Sequence, residues 1–165
     1  MTPPSRSLQV AVCGGAAEPG EATLAAAEEV GRLLAEAGVT LVCGGGGGVM
    51  GAASRGAANA GGHVIAILPG EDPADANEHS THVVATGTGH ARNLAVVASA
   101  DAVIAIAGEW GTLSEIAFAR RLGRPVVTLG SWELKGARAM EGAPGIEPAE
   151  TPTAAVEAAL RDLQR

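Results

Sequence analysis

Short apolar runs recur along the chain, each closed by glycine or proline and most followed by a stretch whose apolar residues step by three or four. Leu8 to Cys13 reads as a first strand, ended by Gly14 and Gly15. From Thr23 to Ala37 the residues Leu24, Ala27, Val30, Leu34 and Ala37 fall on one helical face, with Gly38 as a C-cap. Thr40 to Cys43 is strand-like, a run of glycines from Gly44 to Gly48 follows, and a helix is expected from about Val49 to Ala60. His63 to Leu68 is almost wholly apolar, the pattern of a strand covered on both faces of a parallel sheet. The acidic, breaker-rich stretch 69–80 reads as a surface loop placed to act as a lid.

The second half repeats the alternation. THVVAT suggests a short strand, GTGHARN leads into a helix carrying Leu94, Val97 and Ala98, and Asp101 to Ala107 is the clearest buried strand. A helix from Leu113 to Leu122 and the strand PVVTL come next. Gly130 to Glu150 has no sustained period, and Thr151 or Thr153 then caps a last helix with Val156, Ala159, Leu160 and Leu163 on one face. Alternating strands and helices at this spacing predict βαβ units with right-handed crossovers. The expected class is therefore α/β, a single-domain three-layer fold with a mainly parallel sheet over residues 8–165, behind a loose tail at 1–7. Such sheets bind ligands beyond the carboxyl ends of their strands, so the chemistry is expected in the loops at 14–20, 44–48, 69–80, 86–90 and 108–112.

Composition narrows the picture. The 165 residues are 47% hydrophobic and 18% charged, which suits one compact domain. With 24 glycines and only Trp110, Phe118 and Trp132 as aromatics, the interior must be built from Ala, Val and Leu. The formal charge of -7 argues against a nucleic-acid surface but leaves room for a local anion site. Cys13 and Cys43, at the ends of two strands, read as small buried thiols of a reduced protein. No signal peptide and no membrane span are expected, and a cytoplasmic location follows.

Two constellations carry candidate chemistry. Glycines between a strand and a helix let a ligand approach the main chain, and the amides of a helix N-terminus attract phosphate. Gly44 to Gly48 fit that description, although no Lys-Ser/Thr pair follows as in a P-loop, and GxGxxG fits only loosely to Gly46, Gly48 and Gly51. The blander reading is a run that merely allows tight packing. The second constellation is GEWGTLSE at 108–115, where Thr112 and Glu115 have the spacing of a capping box, which leaves Glu115 either a helix cap or a carboxylate facing the cleft. Arg92, in or just before a first helical turn where a cation is mildly unfavourable, is better explained by an anionic partner than by solvent alone. His90 and Asn93 flank it. His63, His79, His82 and His90 show no metal spacing, so no metal site is expected.

CGGGGGVMGAAS at 43–54, ARN at 91–93 and GEWGTLSE at 108–115 together resemble the Lonely Guy (LOG) superfamily, over about residues 8–130. The resemblance implies a Rossmann-like fold and a nucleotide-like phosphorylated ligand, with Arg92 and Glu115 as the catalytic pair. It implies binding by Gly14, Gly44, Gly45, Gly46, Gly47, Gly48, Met50, Asn93, Gly108, Gly111 and Thr112. LOG enzymes hydrolyse the N-glycosidic bond of a nucleoside 5'-monophosphate, and the implied assembly is a homodimer or homotetramer. Two departures stand out: Ala107, Gly108 and Glu109 replace Pro-Gly-Gly, and Asn93 replaces a Lys after the Arg. They are more similar to the sister branch related to molybdenum-cofactor carrier proteins. That branch implies no required cofactor, with molybdenum cofactor as a carried ligand, and a carrier or sensor without turnover as the alternative function.

Overall fold

A computed structural model describes residues 6–134, 145–161 and 163. Seven strands form one sheet: β1 (Gln9–Cys13), β2 (Thr40–Cys43), β3 (Val64–Leu68), β4 (His82–Ala85), β5 (Ala102–Ile106), β6 (Val126–Leu129) and β7 (Ile146–Ala149). Their order is β4-β3-β2-β1-β5-β6-β7, and every pairing is parallel. β1 lies at the centre, with Ala11 in register with Val42 on one side and Val103 on the other.

Alternation along each strand divides the core into two layers. Val10, Val12, Leu41, Cys43, Ile104 and Ile106 face α1 (Glu21–Glu36), α2 (Gly48–Asn59) and α5 (Pro152–Leu160). Ala11, Cys13, Val42, Val103 and Ala105 face α3 (Arg92–Ala98) and α4 (Trp110–Arg121). The small residues of the helices permit a close approach of α1 and α2. A Cβ on Gly31 would sit 1.9 Å from the Ala53 carbonyl oxygen, and one on Gly56 would sit 1.9 Å from that of Glu28.

From β1 the chain steps outward through β2 and β3 to β4, then returns to place β5 on the other flank of β1. The strand order reverses there, so a crevice opens beyond the carboxyl ends of β1 and β5. The loops that meet at it carry Gly14 and Gly15 after β1 and Ala107 and Gly108 after β5. Ala107 is the only non-glycine residue among those described with a left-handed backbone, at φ 47°. Such a conformation costs an alanine about 1–2 kcal/mol and is often retained where it shapes a site.

Three expectations change. α4 begins at Trp110 with Glu109 at its N-cap, so Thr112 lies inside the first turn and is no cap. Thr112 and Glu115 therefore form no capping box; both are buried, and the cap reading of Glu115 is withdrawn. Second, β7 lies in the stretch 130–150 where no period was visible; its segment 135–144 lies outside the described residues. Third, the 69–80 loop contains a single 3-10 turn, Pro73–Asp75, and is pinned to the glycine run by Asn77. Thr151 does cap α5, accepting from the Ala154 amide at 3.2 Å. Arg6, in the expected tail, forms an ion pair with Asp101; residues 1–5 are outside the described chain.

Candidate functional site

Beyond β1 and β5 lies a pocket of about 210 Å³ lined by Gly14, Gly15, Ala16, Met50, His90, Arg92, Asn93, Glu109, Gly111, Thr112 and Glu115. The pocket unites four separate elements. Gly14 leaves β1, Met50 stands on the first turn of α2, Arg92 and Asn93 open α3, and Gly111 to Glu115 lie on α4. A larger cleft of about 680 Å³ is lined partly by Gly48, Arg55, Asn77 and His79. The smaller pocket is the better candidate because charged and buried polar groups converge in it.

Arg92 is its principal cation. Its guanidinium lies against Gly44, where a Cβ would come within 1.6 Å of Nη1, so a bare backbone is needed for the side chain to lie there. Both Nε and Nη1 of Arg92 are buried and have no hydrogen-bond partner. A buried charged donor left unpaired costs on the order of 1–3 kcal/mol or more, a cost that an anionic ligand would remove.

Glu115 is the complementary acid. It is only 7% exposed, and burial pushes its carboxyl up to about 7, against smaller opposing effects of the Cys13 thiol and the Arg92 charge. Burial first, and then the charge of the neighbouring Glu115, hold the Cys13 thiol well above the ordinary thiol range. Glu115 is thus a carboxyl group that changes charge near neutrality, the property general acid-base chemistry requires.

Asn93 occupies the position expected for a Lys. Its Nδ2 donates to Ser114 Oγ at 3.1 Å, and Ser114 Oγ donates to the Gly111 carbonyl at 2.6 Å, tying α3 to the first turn of α4. Glu109 does not point away from the pocket: Oε1 lies 3.2 Å from where a Cβ on Gly15 would be, and the side chain makes no hydrogen bond to the α4 amides.

The glycine run has a divided role. Gly44 accommodates Arg92, but Gly45, Gly46, Gly47 and Gly48 do not line this pocket. Gly45 and Gly48 adopt φ of 77° and 58°, and the Val49 amide at the start of α2 already donates to the Gly15 carbonyl at 3.1 Å. Gly108, at φ 109°, packs over Thr112 and lines a separate depression.

Asn77 is the structural residue that the sequence reading missed. Its backbone amide donates to Gly45 O at 2.8 Å, and Nδ2 donates to Gly46 O at 3.2 Å and to Ser54 Oγ at 3.3 Å. Nothing in the acidic loop singled it out; only its preference for turns was a signal.

A glycine-rich α/β sheet with an Arg and a Glu converging at its switch point defines a Rossmann-like protein of the LOG type. The chain belongs to the SLOG cluster4 family, whose model matches residues 7–156. It is 45% identical over 122 residues to an uncharacterized protein of Archaeoglobus fulgidus, covering 74% of this chain and 80% of that one. It is 38% identical over 116 residues to a probable cytokinin riboside 5'-monophosphate phosphoribohydrolase of Oryza sativa subsp. japonica, covering 68% of this chain. The match covers only 47% of that plant protein. The structure of the molybdenum cofactor binding protein from Rippkaea orientalis superposes with a TM-score of 0.88 at 32% identity, covering 98% of this chain and 99% of that one. No helix among the described residues is long and apolar enough to cross a membrane.

Proposed function

We propose that the protein binds a nucleoside monophosphate or a similar phosphorylated heterocycle in the Arg92 pocket. The observation that carries this reading is the buried, unpartnered Nε and Nη1 of Arg92 beside Gly44 and Gly14. A phosphate there would pair with the guanidinium and could approach the bare main chain of Gly14, Gly15 and Gly111 closely. The likeness to the molybdenum cofactor binding protein along the whole chain supports a ligand held and released intact. On that reading a molybdenum cofactor is a candidate cargo, with its phosphate at Arg92.

The second reading, hydrolysis of the N-glycosidic bond of a nucleoside 5'-monophosphate, is favoured by Glu115. In its ionised form the buried carboxylate would hold the ribose hydroxyls and stabilise positive charge developing on the sugar, while Arg92 orients the nucleotide. Incubation with a panel of nucleoside 5'-monophosphates, followed by chromatography for free base and ribose 5-phosphate, separates the two readings. Binding without products is the outcome expected of a carrier. Release of base that vanishes in Glu115→Gln makes the protein a hydrolase instead.

A further inference from the structure

Glu109 is the charged group of the pocket that neither reading uses. It sits at the N-cap of the twelve-residue helix α4, its carboxylate lies along the Gly15 backbone, and it shares the pocket with Arg92 and Glu115. The amides of a helix start carry partial positive charge and attract an anion. Here the N-cap residue is itself acidic, and its carboxylate makes no hydrogen bond to those amides. With Glu115 ionised above neutrality the pocket holds two carboxylates and one guanidinium. Arg92 offsets only one of those two carboxylates, so the site is already net negative and each further charge on a ligand phosphate adds to the repulsion from Glu109.

We infer that Glu109 determines specificity by charge, favouring ligands whose phosphate carries one negative charge over those whose phosphate carries two. A phosphodiester, or a phosphate esterified on a second oxygen, fits this requirement. A free phosphomonoester, with a second ionisation near pH 6, carries close to two charges at pH 8. The inference rests on the proposed binding of phosphorylated ligands at Arg92, and among them it ranks nucleoside monophosphates, which are phosphomonoesters, below the corresponding diesters.

The test uses adenosine 5'-monophosphate and its phosphate methyl ester, which share base and ribose and differ by about one charge. Dissociation constants for both are measured calorimetrically at pH 8 and low ionic strength, for the wild type, Glu109→Gln, Glu109→Ala and Arg92→Ala. At low salt an exposed charge several ångströms away changes binding of one further charge by about threefold to tenfold. In both Glu109 variants the preference for the methyl ester over the monoester should therefore fall by that factor, chiefly through tighter binding of the monoester. An unchanged preference overturns the inference. So does weaker binding of both ligands, which would make Glu109 a hydrogen-bond acceptor for the ligand. Arg92→Ala tests the underlying reading separately: if it binds both ligands as well as the wild type does, the Arg92 site fails whatever Glu109 does.

Discussion

Replacing Glu115 with Gln should stabilise the protein increasingly as pH rises from about 4.5 to about 7, and by a constant amount above that. The carboxyl group rises from an ordinary 4.5 to about 7 on folding because burial penalises its charged form. Between those values the folded chain holds a proton that the unfolded chain has released. Stability is consequently greatest below about pH 4.5 and falls as pH rises through about 7. At 1.36 kcal/mol for each tenfold change in proton affinity, the whole loss is on the order of 3 kcal/mol. Glutamine keeps the shape but cannot ionise. At pH 8 the variant should gain up to about 3 kcal/mol, or about 6–12 °C in Tm for a domain of this size. At pH 4.5 the two proteins should agree within about 1 kcal/mol. Urea denaturation or calorimetry at both pH values measures the difference. A variant that is less stable than the wild type at pH 8, or a difference independent of pH, would refute the reasoning and show that Arg92 keeps Glu115 ionised.

Two other substitutions probe the support of the pocket. Gly44→Ala puts a methyl group where the Arg92 guanidinium lies, so the long side chain must swing away; ligand affinity should fall at least tenfold while urea stability changes by no more than about 1 kcal/mol. Retained affinity would mean that Arg92 binds from another position. Asn77→Ala deletes the side-chain bonds to Gly46 O, Ser54 Oγ, the His79 amide and Ser80, and should cost about 1–3 kcal/mol in urea denaturation. It should also raise amide hydrogen exchange across 44–48, and unaltered exchange there would remove Asn77 from its bracing role.

Most of the fold was visible in the sequence for one physical reason. Strands buried on both faces of a parallel sheet must be apolar throughout, so VIAIL of β3 and AVIAI of β5 stand out without any periodicity. β7 was invisible because it is an edge strand: Glu147 and Pro148 face solvent, and an edge tolerates both. The start of α4 was misplaced because Gly111, in its first turn, reads as a breaker when only the local pattern is considered. That error made Glu115 look like a partner for a cap at Thr112, whereas the earlier helix start turns it into the pocket. Arg92, Glu115, Gly14, Met50, Asn93, Gly111 and Thr112 were singled out in the sequence and line one pocket in the fold. The nearness of Gly44 to Arg92 and the brace from Asn77 were not legible, since each joins residues far apart in the chain.

The measurement that bears most directly on the account is calorimetric binding of a panel of nucleoside 5'-monophosphates and the matching nucleosides to the wild type and to Arg92→Ala. Pairing of a phosphate with the buried guanidinium is worth about 1.5–3 kcal/mol. Arg92→Ala should therefore weaken monophosphate binding about tenfold to a hundredfold or more, and leave nucleoside binding nearly unchanged. Equal losses for both, or no loss for either, would contradict the claim that the orphaned guanidinium is the seat of the phosphate.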